Sequence, residues 1–150
     1  MQLSGQKNFK VNREAIWNLL MNPDTLAQII PGISKLEKSA ENSYKSILEI
    51  KIGPVSGSFE GTVELDEMVE NTTFYLKSRQ NSKIGDANAS IKILLTEVNQ
   101  SETELAFNGD VKLTGLLASM GQRMVSGVAN TLIKQFFANM EKELQKQFAS

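Results

Sequence analysis

The sequence predicts an α+β fold: a curved antiparallel β-sheet of about seven strands, two short helices after strand 1, and a long C-terminal helix over the sheet. Three observations predict it. Apolar and polar residues alternate from Met1 to Val11 and again between Tyr44 and Leu113, the period of strands with one wet face. The period becomes helical from about Leu116 to Phe148. Between the first alternating stretch and the others lie two short segments with helix-start signals. The 150 residues suit one domain, 1–150, with one sizeable core and no room for two.

In the opening stretch Leu3, Gly5, Phe9 and Val11 share one phase, against Ser4, Gln6, Asn8 and Lys10. Lys7 falls on the apolar phase as an exception. Asn12 can cap a helix over residues 13–21, with Ile16, Leu19 and Leu20 on one side and Trp17 beside them. Asn22-Pro23 starts a second helix, Asn as cap and Pro at the first helical position, with Leu26, Ile29 and Ile30 as its apolar residues. Pro31-Gly32 ends it.

Alternation then resumes. Tyr44, Leu48, Ile50 and Ile52 share a face, and after the Gly53-Pro54 break so do Phe59, Gly61, Val63 and Leu65. Phe74 and Leu76 follow the Glu70-Asn71 turn. Ala87, Ala89, Ile91, Ile93 and Leu95 follow Gly85-Asp86, and Leu105, Phe107, Val111 and Leu113 form the last inner face. Short turns between such runs indicate an antiparallel meander. The order is strand, two short helices, six strands, long helix.

In the helix, Leu117, Met120, Gly121, Met124, Val125, Val128 and Leu132 lie within one stripe. The second half uses Ala129, Ile133, Phe136, Phe137, Met140 and Leu144, and its apolar face is rotated by roughly a third of a turn. A helix of this length spans about 50 Å; strands of ten residues reach only about 33 Å. Residues 136–148 should therefore bend along the sheet, overhang it or meet a partner.

Composition excludes several functions. Sixteen Lys and Arg against 17 Asp and Glu leave a net charge of −1, too little basic surface for nucleic acid. With no cysteine and no histidine there is no thiolate nucleophile, no imidazole base and neither common transition-metal ligand. No signal peptide opens the chain, and no run nears the ~18 apolar residues of a membrane span. The expected location is cytoplasmic.

The acidic residues Glu49, Glu60, Glu64, Glu97 and Glu104 sit mainly on the polar strand phase and read as a solvated face. Asp24 suits the first turn of the second short helix. Lys7 could be a buried base, but such lysines more often snorkel to a rim. Arg79 and Arg123 could each bind an anion, though Arg123 lies opposite the apolar stripe. No carboxylate pair, phosphate loop or metal-ligand cluster appears, so no catalytic residue, metal or cofactor is expected.

Small residues recur on both surfaces that should face each other: Ala118, Gly121, Gly127 and Ala129 on the helix, and Gly5, Gly61, Ala87, Ala89 and Gly109 at or near the inner sheet phase. They mean either close approach of helix to sheet or a void. A helical Gly costs about 1 kcal/mol against Ala, so two imply a packing or functional reason. Met120, Met124 and Met140 add pliable side chains that suit irregular gaps or variable ligands. If the space is a cavity, its predicted ligand-binding lining is Phe59, Gly61, Val63, Phe74, Leu76, Ile91, Ile93 and Phe107 from the sheet. Leu117, Met120, Gly121, Met124, Val128 and Leu132 complete it from the helix.

Three segments together resemble a known family: Ile30-Pro31-Gly32 after a Trp-bearing short helix, residues 53–63 (GPVSGSFEGTV), and residues 116–124 (LLASMGQRM) followed by Phe136-Phe137. The pattern is similar to the CoxG family of carbon monoxide dehydrogenase proteins, within the START/Bet v 1-like (SRPBCC) superfamily. The resemblance implies a helix-grip fold with an apolar cavity under the C-terminal helix. It also implies an accessory role to a molybdenum hydroxylase of the CO dehydrogenase type, in membrane attachment or delivery to a membrane electron acceptor. The expected function is a non-enzymatic carrier or adaptor for an apolar small molecule, lipid or quinone-like. Transient contact with the inner membrane face through 136–148 would accompany it. The alternatives are a protein-interaction or membrane-recruitment component without ligand, and a cyclase- or hydrolase-like enzyme.

Overall fold

The structure, a computed structural model, describes residues 1–148, the side chain of Phe148 excepted. Strand β1 (Gln2–Phe9) leads into helices α1 (Arg13–Met21) and α2 (Pro23–Ile29). The meander follows: β2 (Ile33–Ala40), β3 (Ser43–Ile52), β4 (Val55–Val69), β5 (Thr73–Ser82), β6 (Gly85–Asn99) and β7 (Glu102–Leu113). Helices α3 (Gly115–Ser119) and α4 (Gln122–Phe148) end it. The seven strands form one antiparallel sheet in the order β1-β7-β6-β5-β4-β3-β2. This is the helix-grip arrangement that the alternation and the closing helix predict.

Both short helices start where their caps place them. The Asn12 side chain accepts from the Ala15 amide at 2.8 Å, and the Asn22 side chain accepts from the Asp24 amide at 2.9 Å. Asn22 also ends α1, its amide donating to the Asn18 carbonyl, so one residue sets the angle between the two helices. Ile16, Trp17, Leu19, Leu20, Leu26 and Ile29 are buried against the sheet. Trp17 meets Phe74 edge to face with ring centres 5.7 Å apart, a preferred aromatic geometry.

Strand β2 carries almost no alternation. Only Ile33 and Leu36 are half-buried and the other residues are exposed, as an edge strand allows. Strands β4 and β6 run 15 residues, longer than ten, and span about 50 Å.

The C-terminal helix departs from expectation in two ways. It is not continuous from Leu116: it breaks at Gly121, whose φ of +88° an L side chain rarely adopts. The 27-residue α4 is about 40 Å long and does not outrun the long strands. Its second half neither overhangs nor waits for a partner. Met140 and Leu144 are buried with α1 and α2 in the larger core, and Phe136 and Phe137 pack against it. The Asn139 side-chain amide donates to the Ile29 carbonyl at 3.2 Å, tying α4 to the end of α2. The rotated stripe moves from the sheet to these helices. Full burial of Met140 and Leu144 contributes about 1.5–3 kcal/mol each.

Candidate functional site

Between α4 and the inner sheet face lie two cavities, of about 250 Å³ and 220 Å³. Each is several times the ~30 Å³ that a water molecule occupies. The first lies towards α3, between Leu117, Ile50, Val55, Phe59, Ala87, Val111 and Leu113 on one side and Val125, Val128 and Ala129 of α4 on the other. The second lies towards α2, between Ile30, Pro31, Val63, Leu76, Ile91, Ile93, Leu105 and Phe107 and the aromatic pair Phe136 and Phe137. Leu3, Leu48, Leu132 and Ile133 border both, so the two are neighbouring chambers of one space.

The chambers owe their walls to period-two alternation. On β3, Leu48 and Ile50 point inward while Glu49 and Lys51 are exposed. On α4 the spacing of Val125, Val128, Ala129, Leu132, Ile133 and Phe136 keeps one face on the chambers. Phe137 is fixed by three aromatic neighbours: Phe9 at 6.0 Å, Phe107 at 5.8 Å and Phe136 at 6.1 Å between ring centres.

Nine of the fourteen predicted lining residues border a chamber: Phe59, Leu117 and Val128 the first, Val63, Leu76, Ile91, Ile93 and Phe107 the second, and Leu132 both. Five lie elsewhere. Phe74 is core, buried against Trp17. Met120 packs beside the chambers in the smaller apolar cluster. Gly121 sits at the exposed helix break, and Met124 points away, 47% exposed. Gly61 lies where strands crowd: a Cβ there would come within 1.7 Å of the Arg79 carbonyl oxygen.

The two readings of the small residues therefore divide by surface. On the sheet, Gly61 and Gly109 mark close backbone approach, and the Phe107 ring fills the space beside Gly5. On the helix, a Cβ at Gly121 or Gly127 would meet nothing within 4 Å, and both are exposed, so neither borders the void. Alanines do: Ala87 and Ala129 face the first chamber.

Among the described residues no ionisable side chain borders either chamber. Lys7 sits at the rim, its Nζ 3.6 Å from the Glu141 carboxylate and 5.8 Å from the centre of the Phe9 ring. Arg79 and Arg123 are exposed.

Polar groups do enter. Gln80, 4% exposed, borders the first chamber and Ser78 the second. Ser46, 1% exposed, bonds Gln80 between them. Sequence reasoning passed over these residues because they are polar. The signal was there: Ser78 and Gln80 continue the phase of Phe74 and Leu76, and Ser46 that of Tyr44 and Leu48.

A sequence profile of the carbon monoxide dehydrogenase CoxG family, the G component of that enzyme system, matches residues 5–145. The chain belongs to the CoxG family. All three segments that carry the resemblance reach the chambers: Ile30 and Pro31, then Val55, Phe59 and Val63, then Leu117. A conserved protein from Geobacillus kaustophilus has 32% identity and a TM-score of 0.94, over 97% of this chain and 96% of that one. A START superfamily protein from Mycobacterium smegmatis is 15% identical with a TM-score of 0.77, over 97% and 98% of the two chains. The Zhui aromatase/cyclase from a Streptomyces species is 10% identical with a TM-score of 0.65, over 98% and 92%. The last two share the START-like fold of the CoxG family chain. No curated protein matches its sequence. None of its described helices is long and apolar enough to cross a membrane.

Proposed function

We propose that this CoxG family protein is a non-enzymatic carrier or adaptor that holds an apolar small molecule, lipid or quinone-like, in the space between α4 and the sheet. One observation carries the reading: two adjoining chambers whose borders are almost wholly hydrocarbon side chains, with no charge among them. Voids of this size leave their lining short of packing partners, a loss that a bound apolar molecule would restore. The absence of an ionisable side chain at the chambers leaves no evident acid or base there, which supports a carrier over a cyclase-like enzyme. The family's description supports an accessory role to an oxidoreductase of the CO dehydrogenase type.

Native mass spectrometry of the protein purified from cells, followed by solvent extraction, tests this. A discrete apolar adduct is expected, lost in Leu132→Trp because Leu132 borders both chambers. Wild-type protein that carries only its own mass and takes up no neutral fluorophore such as N-phenyl-naphthylamine would sink the proposal.

A second reading, recruitment to a membrane or partner, is favoured by Leu116 and Met124. They stand 59% and 47% exposed on either side of the Gly121 break. Replacing both with Ser should abolish sedimentation with lipid vesicles under this reading and leave adduct mass unchanged.

A further inference from the structure

The floor of the two chambers carries one polar row. Ser46 of β3 pairs with Gly61 of β4, and Gly61 with Gln80 of β5. Gly61 has no side chain to separate them, and the Gln80 amide meets the Ser46 hydroxyl across it, at 3.0 Å from Nε2 to Oγ. Nε2 also lies 3.0 Å from Ser78 Oγ and 3.3 Å from the Thr62 carbonyl oxygen. The Thr62 carbonyl can only accept, so it fixes which end of the amide is nitrogen. The Ser46 hydroxyl in turn donates to Oε1 at 3.4 Å.

The hydrogen-bonding capacity of this cluster is not used up. Ser78 accepts from Gln80, and its own hydroxyl hydrogen has no acceptor among the described residues. Oε1 of Gln80 can accept twice and receives only the long bond from Ser46. These unused capacities belong to the residue that borders the second chamber and the residue that borders the first. Polar groups in an apolar pocket fix a ligand's orientation and identity, and leaving them unpaired costs affinity.

We infer that Ser46, Gln80 and Ser78 form the polar anchor of the ligand site. The Ser78 hydroxyl donates to one uncharged oxygen, a ketone or ester carbonyl, of an otherwise apolar ligand whose hydrocarbon fills the chambers. Because no ionisable side chain borders either chamber, a carboxylate or phosphate head group would be buried without a counter-charge and is selected against. This inference rests on the carrier reading and names the chemical class of its ligand.

Displacement of N-phenyl-naphthylamine by three probes of equal carbon number tests it: methyl nonyl ketone, undecane and undecanoate above neutral pH. Wild-type protein should bind the ketone about fivefold more tightly than the alkane, the effect of one net hydrogen bond. It should bind the carboxylate more than about tenfold more weakly than the ketone. Ser78→Ala should bring the ketone to the alkane's level and leave the alkane unchanged. Ser78→Thr, which keeps the hydroxyl, should retain the preference. Thermal melts establish that each variant is folded. Equal ketone and alkane affinities in the wild type, a preference that survives Ser78→Ala, or a carboxylate as tight as the ketone would each overturn the anchor. The carrier reading would stand in those cases, since fluorophore and alkane still bind. Failure of fluorophore and all three probes to bind would remove the carrier reading and the anchor together.

Discussion

The two halves of α4 have the same length scale and a similar supply of apolar residues, yet they do opposite things. From Gln122 to Thr131 no residue is buried, and Val125, Val128 and Ala129 face the first chamber. From Leu132 to Leu144 the helix holds Met140 and Leu144 in the core, three aromatic contacts at Phe137 and a hydrogen bond from Asn139 to α2. One half anchors and the other roofs. A single rigid element can leave space beneath it only because its attachment lies elsewhere along its length.

Substitutions can break or sharpen this contrast. Met140→Ala should cost the most, about 2–5 kcal/mol in urea denaturation, because the site is fully buried and cannot collapse easily. Fluorophore uptake per folded molecule should stay unchanged; a loss of uptake at full folding would merge the two halves. Gly121→Ala should come next, about 1–2 kcal/mol, for backbone strain alone: φ is +88° and a Cβ would meet nothing. If that variant's melting temperature matches the wild type, the break relaxes freely and is no fixed feature of the roof. Val128→Ala should lose about 1 kcal/mol or less, since its side chain already faces a void. A loss as large as that at Met140 would show the chamber to be packed in solution.

The smallest effect should lie far from the helix, at the cross-strand pair Asp66 and Lys77, whose charged atoms are 2.8 Å apart. The hydrogen bond from Lys77 holds the Asp66 carboxyl below its ordinary range, and the bond to Asp66 holds Lys77 above its own. Asp66 therefore favours the fold above the unfolded-chain value of about 3.9, an advantage lost as pH falls through the lower folded value. The Lys77 contribution is present below its unfolded value and is lost as pH rises through the raised folded one. Asp66→Asn should lower the urea midpoint slightly near neutral pH, less in high salt, and not at all in strong acid. A difference that persists in strong acid would mean that something other than the charge matters.

Most of the fold was legible because alternation and helical period are local signals. The Asn12 and Asn22 caps, the inner faces of β3 to β7 and the rotation of the helical stripe all follow from neighbours in sequence. What the stripe rotates towards was not legible. Asn139 reaches Ile29 across 110 residues, and nothing near Asn139 announces it. The break at Gly121 was obscured because the apolar spacing continues through Met120, Gly121 and Met124 on paper, though the helical glycine was itself a warning. Strand β2 escaped placement because, as an exposed edge, it needs no apolar face. In the site, the sheet lining was read well and the helix lining less well. Met124 fits the stripe by angle but points away once the helix starts at Gln122. The polar floor was hidden by its chemistry: a rule that counts apolar residues cannot see Ser46, Ser78 or Gln80.

Each strand from β2 to β7 pairs with its successor along the chain, whereas β1 pairs with β7, Gln2 facing Asp110. Leu3 of β1 and Ile133 of α4 both border the two chambers. Joining segments that distant is slow, because chain entropy is lost before any contact compensates. In refolding, uptake of N-phenyl-naphthylamine should trail the recovery of strand circular dichroism. Synthesis runs from the N-terminus, so β1 must wait unpaired until nearly the whole sheet has emerged, and the chambers must wait longer, for α4. A growing chain of this kind has no interior to load; whatever it carries has to enter a finished protein.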